Sequence, residues 1–299
     1  MHNNTAMFLH NFFHSPHRSG KFAPSVPDSS STQGVLNSTV ANTERATVSY
    51  GTESTPFFLV GCVRSGTTLL RDILRMHPRL EGAEESHFFR WSDPFATPRY
   101  TALYKNNGDL KESRRLDQIT EEEFFSIFTS AQNRKELQDA YCKLYLAKQG
   151  NPTGRWFDKT PQNIYGLFLL KEAYPEATFV HIHRNPLNVA ASLRKGVVMP
   201  SMTLTAAINY WNDSYIMMRD FSKLYPESVY TIPYLQLTTY PQQTLSGLLH
   251  HVHEDPDKLT IPEGYVYAER NAYTKSLLPS EQQYIQTACA NGMRALGYV

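Results

Sequence analysis

The apolar pattern changes character near Thr55. Upstream, residues 1–54 are rich in Ser, Thr, Asn and Pro and carry almost no apolar period, which predicts a disordered N-terminal extension. Downstream, Phe57-Phe58-Leu59-Val60 is a short continuous apolar run, the signature of a strand buried on both faces. A glycine-bounded loop follows, Gly61 to Gly66. From Thr67 to Met76, Leu69, Leu70, Ile73 and Leu74 then fall at helical spacing, and His77-Pro78 closes that helix. Residues 120–149 read as one or two helices, opened by a Thr120/Glu123 capping box and marked by Phe124/Phe128 and Tyr141/Tyr145 four apart.

Further strands are predicted at Trp156-Phe157, at Thr178 to His183 and at Val229 to Ile232. Helices are predicted through Leu167 and Leu170, from Pro186 to Lys195, and along Ile208, Trp211, Tyr215 and Met218. Ser280 with Gln283 is the expected cap of a last helix running towards Leu296-Gly297. Strands alternating with helices predict an α/β fold, a central mainly parallel sheet flanked by helices in three layers. No internal repeat is visible. The reading is therefore two regions, an extension over 1–54 and a single folded domain over 55–299.

Composition narrows the function. Among 299 residues, 29 Lys+Arg against 28 Asp+Glu leave a formal net charge of +1, which argues against a polybasic nucleic-acid binder. With 41% hydrophobic and 12% aromatic residues, the chain can build a sizeable core. Cys62, Cys142 and Cys289 form neither a disulfide framework nor a metal-ligand spacing, which points to reduced thiols and a cytoplasmic setting. No run reaches the length of a membrane span. The first 27 residues contain no acid, so a transit peptide stands beside the plain disordered tail as a reading of the extension.

Two segments carry the chemistry. Gly61-Cys62-Val63-Arg64-Ser65-Gly66-Thr67-Thr68 has the G-x-x-x-x-G frame of a phosphate loop, between an apolar strand and a helix start as that motif requires. Backbone N–H groups and a helix N-terminus favour an anion there, and Ser65, Thr67 and Thr68 add hydroxyls. Thr67 stands where an ATP-binding loop carries its lysine, and the nearby cation is Arg64 inside the loop. The second segment is His183-Arg184-Asn185-Pro186, where a strand enters a helix. The planar fork of Arg184 suits phosphate oxygens, and Ser192 lies almost two turns into that helix.

Together these segments resemble the sulfotransferase superfamily. Val60 to Thr68 looks like its 5′-phosphosulfate loop, and Arg184 with Ser192, in Arg-Asn-Pro-Leu-Asn-Val-Ala-Ala-Ser, looks like its 3′-phosphate element. The resemblance spans Phe57 to Val299 and is nearest in style to tyrosylprotein and heparan sulfate-type enzymes. It implies a P-loop-like fold and the donor 3′-phosphoadenosine 5′-phosphosulfate (PAPS), held by Arg64, Ser65, Gly66, Thr67, Thr68, Arg184 and Ser192 and released as adenosine 3′,5′-bisphosphate, with no metal needed.

Glu84-Glu85-Ser86-His87-Phe88-Phe89 resembles a segment in which a glutamate is the general base. Glu85 is the matching position and Glu84 the alternative, and adjacent carboxylates are expected to raise one pKa. Asp158-Lys159-Thr160-Pro161 resembles a Glu-Lys-Thr-Pro segment whose lysine lies by the reacting groups. Arg64 is assigned to electrostatic stabilisation, because arginine holds its proton too strongly to donate it, and Lys159 is a second catalytic cation.

His87 reads as structural, His181 and His183 as core or edge residues, and Trp91, Trp156 and Trp211 as core or cleft wall. Arg270 and Lys275 occupy a late polar loop, where relatives use a basic loop over the nucleotide. Tyr234-Leu235-Gln236-Leu237 departs from the relatives' Tyr-Glu-Asp-Leu. The aromatic-rich 95–130 region is a candidate lid or acceptor wall. The acceptor is expected to be a small molecule or carbohydrate. A P-loop kinase-like nucleotide-binding protein is the alternative.

Overall fold

The computed structural model describes residues 55–196 and 201–299. The expected extension over 1–54, with its transit-peptide reading, lies outside the described residues. Five strands build one sheet: β1 (Phe57–Val60), β2 (Leu80–Gly82), β3 (Arg155–Lys159), β4 (Thr178–His183) and β5 (Val229–Pro233). Every pairing is parallel and the order is β2-β3-β1-β4-β5. The four strands expected from apolar runs are present. The fifth, β2, is three residues long and carries Glu81 and Gly82, too short for any period to show.

The pleat sorts β1 and β4 onto two cores. Phe58, Val60 and Phe179 face a mainly aromatic cluster with Phe88, Tyr100, Tyr104, Phe124 and Tyr141. Phe57, Leu59, Val180 and Ile182 face an aliphatic cluster built with Leu70, Ile73 and Leu74 from the helix Thr67–Leu74 and with Leu245, Leu248 and Leu249 from the helix Pro241–His251. All four residues of β1 are fully buried, as a central strand covered on both faces must be. This is the P-loop-like α/β architecture, its parallel sheet flanked by helices on both sides.

The 95–130 region sends its rings into the core, and its Tyr104, Leu110, Ser113, Arg114 and Phe124 also line a small cavity beside Glu85. Tyr100, Tyr104, Leu110, Phe124 and Phe128, on three helices, are nearly inaccessible, and the Tyr100 and Tyr104 rings lie 5.0 Å apart, tilted by 48°. The 120–149 stretch divides into Glu121–Ser130 and Arg134–Lys148. The first carries the expected box, with Glu123 N–H donating to Thr120 Oγ1 at 3.1 Å and Thr120 N–H to Glu123 Oε2 at 2.9 Å. The last helix is corrected. It runs Pro279–Ala288 with Ser280 inside it, and Glu281 accepts from the Leu278 N–H at 2.9 Å. Pro279 starts the turn one residue before the expected cap, because its fixed φ suits the first helical position. A separate turn, Ala290–Ala295, follows.

Candidate active site

In a parallel sheet all carboxyl ends lie on one edge, where ligands of open α/β folds bind. Here each strand delivers one polar side chain to that edge. After β1 comes Arg64, after β2 Glu85, at the end of β3 Lys159, after β4 Arg184, and after β5 Tyr234. Their spatial neighbours follow the strand order, so residues far apart in sequence meet.

Two positions bounding the loop after β1 admit only glycine. Gly61 and Gly66 both have positive φ, 157° and 100°. A Cβ on Gly61 would strike the carbonyl of Ile182, and one on Gly66 the ring of Tyr234. Arg64 is itself left-handed, with φ 68°. Gly66 caps the helix Thr67–Leu74 with no side-chain bond, leaving its first amides for another acceptor. The Ser65 hydroxyl is fully buried with no hydrogen-bond partner. A buried hydroxyl without a partner costs free energy, which an anion in the loop would recover. Thr67 is buried at the helix start and Thr68 is exposed.

At the β2–β3 end, Lys159 Nζ donates to Glu85 Oε1 at 2.7 Å, and His87 Nε2 lies 3.3 Å from Glu85 Oε2. The Lys159 side chain is 3% exposed and Glu85 31%, so the carboxylate is the partner that reaches solvent. Burial pushes the Glu85 carboxyl up, but the His87 hydrogen bond and the Lys159 charge prevail and hold it at about 2. Adjacent carboxylates therefore do not raise this group. Glu84 turns the other way, onto Arg71 at 2.5 Å and Arg75 at 3.5 Å, while its N–H donates to Asp117 at 2.9 Å. That structural cluster leaves Glu85 as the carboxylate facing Lys159.

Asp158 holds this end together. Fully buried, it accepts from Ser86 Oγ at 2.9 Å, Thr160 Oγ1 at 3.1 Å and Asn163 Nδ2 at 3.0 Å. Ser86 N–H donates to Thr160 Oγ1 at 3.1 Å. The segment carrying Glu85 is thus tied to the strand carrying Lys159. His87, read from sequence as structural, joins the site. It is buried, left-handed at φ 57°, packed 5.6 Å from the Trp91 ring, and its Nδ1 has no partner. Its spacing two residues after Glu85 was the available signal.

At the β1–β4 side, Arg64 Nε donates to Ser192 Oγ at 3.0 Å, so Ser192 meets the loop cation and not Arg184. Arg184 Nη1 donates to the Arg64 carbonyl at 3.2 Å, its guanidinium lies 4.4 Å over the Tyr234 ring, and its carbonyl accepts from Trp211 Nε1 at 2.9 Å. Burial, then the nearby Arg184, lowers the Arg64 pKa. Glu269, which no motif singled out, takes the fork of Arg184, accepting from Nε at 2.6 Å and Nη2 at 2.8 Å. Arg270 is exposed, with its guanidinium 5.9 Å from the Tyr267 ring, and Lys275 is exposed on the turn Tyr273–Ser276. His181 and His183 are buried on β4, and His183 Nδ1 lies 2.7 Å from Tyr298 Oη.

No described helix is long and apolar enough to cross a membrane. A 27% identical match over 212 residues to the protein-tyrosine sulfotransferase of Drosophila melanogaster covers 67% of this chain and 38% of that protein. A 32% match over 137 residues to the nodulation protein NoeE of Sinorhizobium fredii covers 46% and 30%. The chain thus spans well under half the length of these two curated relatives. In fold, the sulfotransferase domain of the Synechococcus PCC 7002 olefin synthase superposes with a TM-score of 0.56 at 18% identity, covering 84% of this chain and 98% of that one. Residues 56–257 match the model of the sulfotransferase family, and the chain belongs to that family.

Proposed function

We propose that residues 55–299 form one sulfotransferase domain that transfers a sulfuryl group from PAPS to a hydroxyl or amine of a small-molecule or carbohydrate acceptor. The observation that carries this reading is the phosphate loop with its unpartnered, buried Ser65 hydroxyl, flanked along the strand ends by Arg64, Lys159 and Arg184. The loop amides with Ser65, Thr67 and Thr68 suit the 5′-phosphosulfate, and Arg184 suits the 3′-phosphate. Thr67 in place of a lysine disfavours the kinase-like alternative.

In the reaction, the acceptor oxygen or nitrogen bonds to sulfur as the bond from sulfur to the bridging phosphate oxygen breaks. Adenosine 3′,5′-bisphosphate leaves with that electron pair. Arg64 and Lys159 face the charge that develops on the leaving phosphate, a preorganised electrostatic role. Glu85, ionised at neutral pH, takes the acceptor proton as charge building on the leaving phosphate draws off Lys159, whose ion pair helps hold this carboxyl at about 2 and so keeps it a weak base beforehand. His87 and Lys159 fix the direction of its two oxygens. A cytoplasmic setting belongs to the same reading, with Cys62, Cys142 and Cys289 as buried free thiols.

The test is a thermal-shift titration with adenosine 3′,5′-bisphosphate against ATP·Mg²⁺, on wild type and Arg184→Ala. A ligand that binds the native state raises the unfolding temperature by mass action. A shift with the bisphosphate that Arg184→Ala abolishes supports the reading and licenses an acceptor screen with labelled PAPS. A shift with ATP·Mg²⁺ alone overturns it.

A further inference from the structure

The fork of Arg184 is already filled. Its Nε and Nη2 make the parallel two-bond contact with Glu269 that this side chain would otherwise make with a phosphate, and Nη1 is on the Arg64 carbonyl. The pair is shielded, with the Arg184 side chain 20% exposed and that of Glu269 8%. Yet the segment that brings Glu269 there is thin. Residues 262–265, 267, 268 and 270–272 are exposed, and the inward contacts are few. Val266 packs on the aliphatic core, Glu269 holds Arg184, and Asn271 Oδ1 accepts from Asn188 Nδ2 at 3.1 Å. Gly264 and Asn271, on either side, have left-handed backbone at φ 73° and 46°, and Gly264 has open space around it.

We propose that Glu269 is an internal competitor for the 3′-phosphate, carried on a strap over 264–271 that lets go of Arg184 when donor binds and retakes it when the bisphosphate leaves. This rests on the reading of Arg184 as the 3′-phosphate residue. A carboxylate and a phosphate cannot share one guanidinium edge, since like charges in contact repel strongly. Every donor-binding event therefore breaks the pair, and every product release restores it. Glu269 weakens nucleotide binding and hastens departure of the bisphosphate, a step that limits turnover in many enzymes. It is a positioning residue, acting through Arg184.

The test is titration of wild type, Glu269→Gln, Glu269→Asp and Arg184→Ala with two nucleotides, adenosine 3′,5′-bisphosphate and adenosine 5′-phosphate, which lacks the 3′-phosphate. The dissociation rate of the bisphosphate is followed in parallel. In Glu269→Gln the bisphosphate is expected to bind about tenfold tighter and leave about tenfold more slowly, with adenosine 5′-phosphate unchanged. A merely structural role would move both nucleotides together. Glu269→Asp, one methylene short of the fork, is expected to fall between wild type and Glu269→Gln, and carries the test if the latter does not fold. Bisphosphate binding in Glu269→Gln and Glu269→Asp equal to or weaker than wild type, while Arg184→Ala loses it, overturns the competitor and leaves the donor site standing. Wild type that binds the two nucleotides alike overturns the donor-site reading, and the competitor with it.

Discussion

The two ends of the strand-end row hold their charges differently. At the β2–β3 end, Lys159 is buried against Glu85, and the chain around them is bound through Asp158, Ser86, Thr160 and Asn163. At the β4–β5 end, Arg184 is matched by a carboxylate on a segment that is mostly exposed. One end is a preorganised framework, the other an exchangeable pairing. The difference suits the two tasks proposed. Groups that meet a transition state gain by being fixed beforehand, while groups that grip a nucleotide must also release it.

Removing the base separates the two ends most. Glu85→Gln is expected to lower kcat by about 10²- to 10⁴-fold while bisphosphate affinity stays near wild type. A matching loss of affinity would mean that the two ends are not separable. Next in size, Arg184→Ala removes charge-assisted bonds worth about 1.5–3 kcal/mol each, so bisphosphate affinity should drop about a hundredfold in calorimetric titration. Asp158→Asn should lower kcat about tenfold with little change in affinity, by loosening the placement of Glu85.

A further test lies in acid. Glu85 is held below its ordinary 4.5, at about 2, chiefly by the His87 bond and the Lys159 charge against burial. Its contribution to stability is present above about 4.5 and lost as pH falls towards 2. Burial also holds His181 at about 3 and His183 at about 4, below the ordinary 6.5. From about 6.5 downwards the unfolded chain takes protons that the folded chain refuses, so stability falls further. Denaturant midpoints measured from pH 7 to pH 3 should therefore decline, and less steeply below pH 4.5 in Glu85→Gln. Asp117, raised by burial to about 6, works in the opposite sense between 6 and 3.8.

What was legible in the sequence was what is local. β1, β4 and β5 announce themselves by composition, and the phosphate loop by spacing around Gly61 and Gly66. Glu85, Lys159 and Arg184 each lie in a short motif. What was hidden depends on strand order. Nothing in the order of residues says that β3 sits between β2 and β1, and so nothing says that Lys159 reaches Glu85 while Glu84 is drawn to Arg71. β2 escaped because three residues carry no period. For the aromatic 95–130 region the sequence cannot choose between core and cleft wall, because a ring that packs a core and a ring that lines a cleft have the same residue code. Glu269 was invisible for another reason. A single acid in a polar loop has no pattern, and its meaning comes from Arg184, 85 positions earlier.

The contact between Gly66 and Tyr234 reaches beyond the folded site into the time at which it forms. The Tyr234 ring occupies the space beside Gly66 where any other residue would place a Cβ, so the last strand's exit lies directly on the first strand's loop. During synthesis the N-terminal end of a chain emerges first, at about 5–20 residues per second. The phosphate loop thus leaves the ribosome many seconds before its back wall exists. A nascent chain arrested before Tyr234 should hold β1 and its helix yet bind no nucleotide, and binding should switch on only once that ring has arrived.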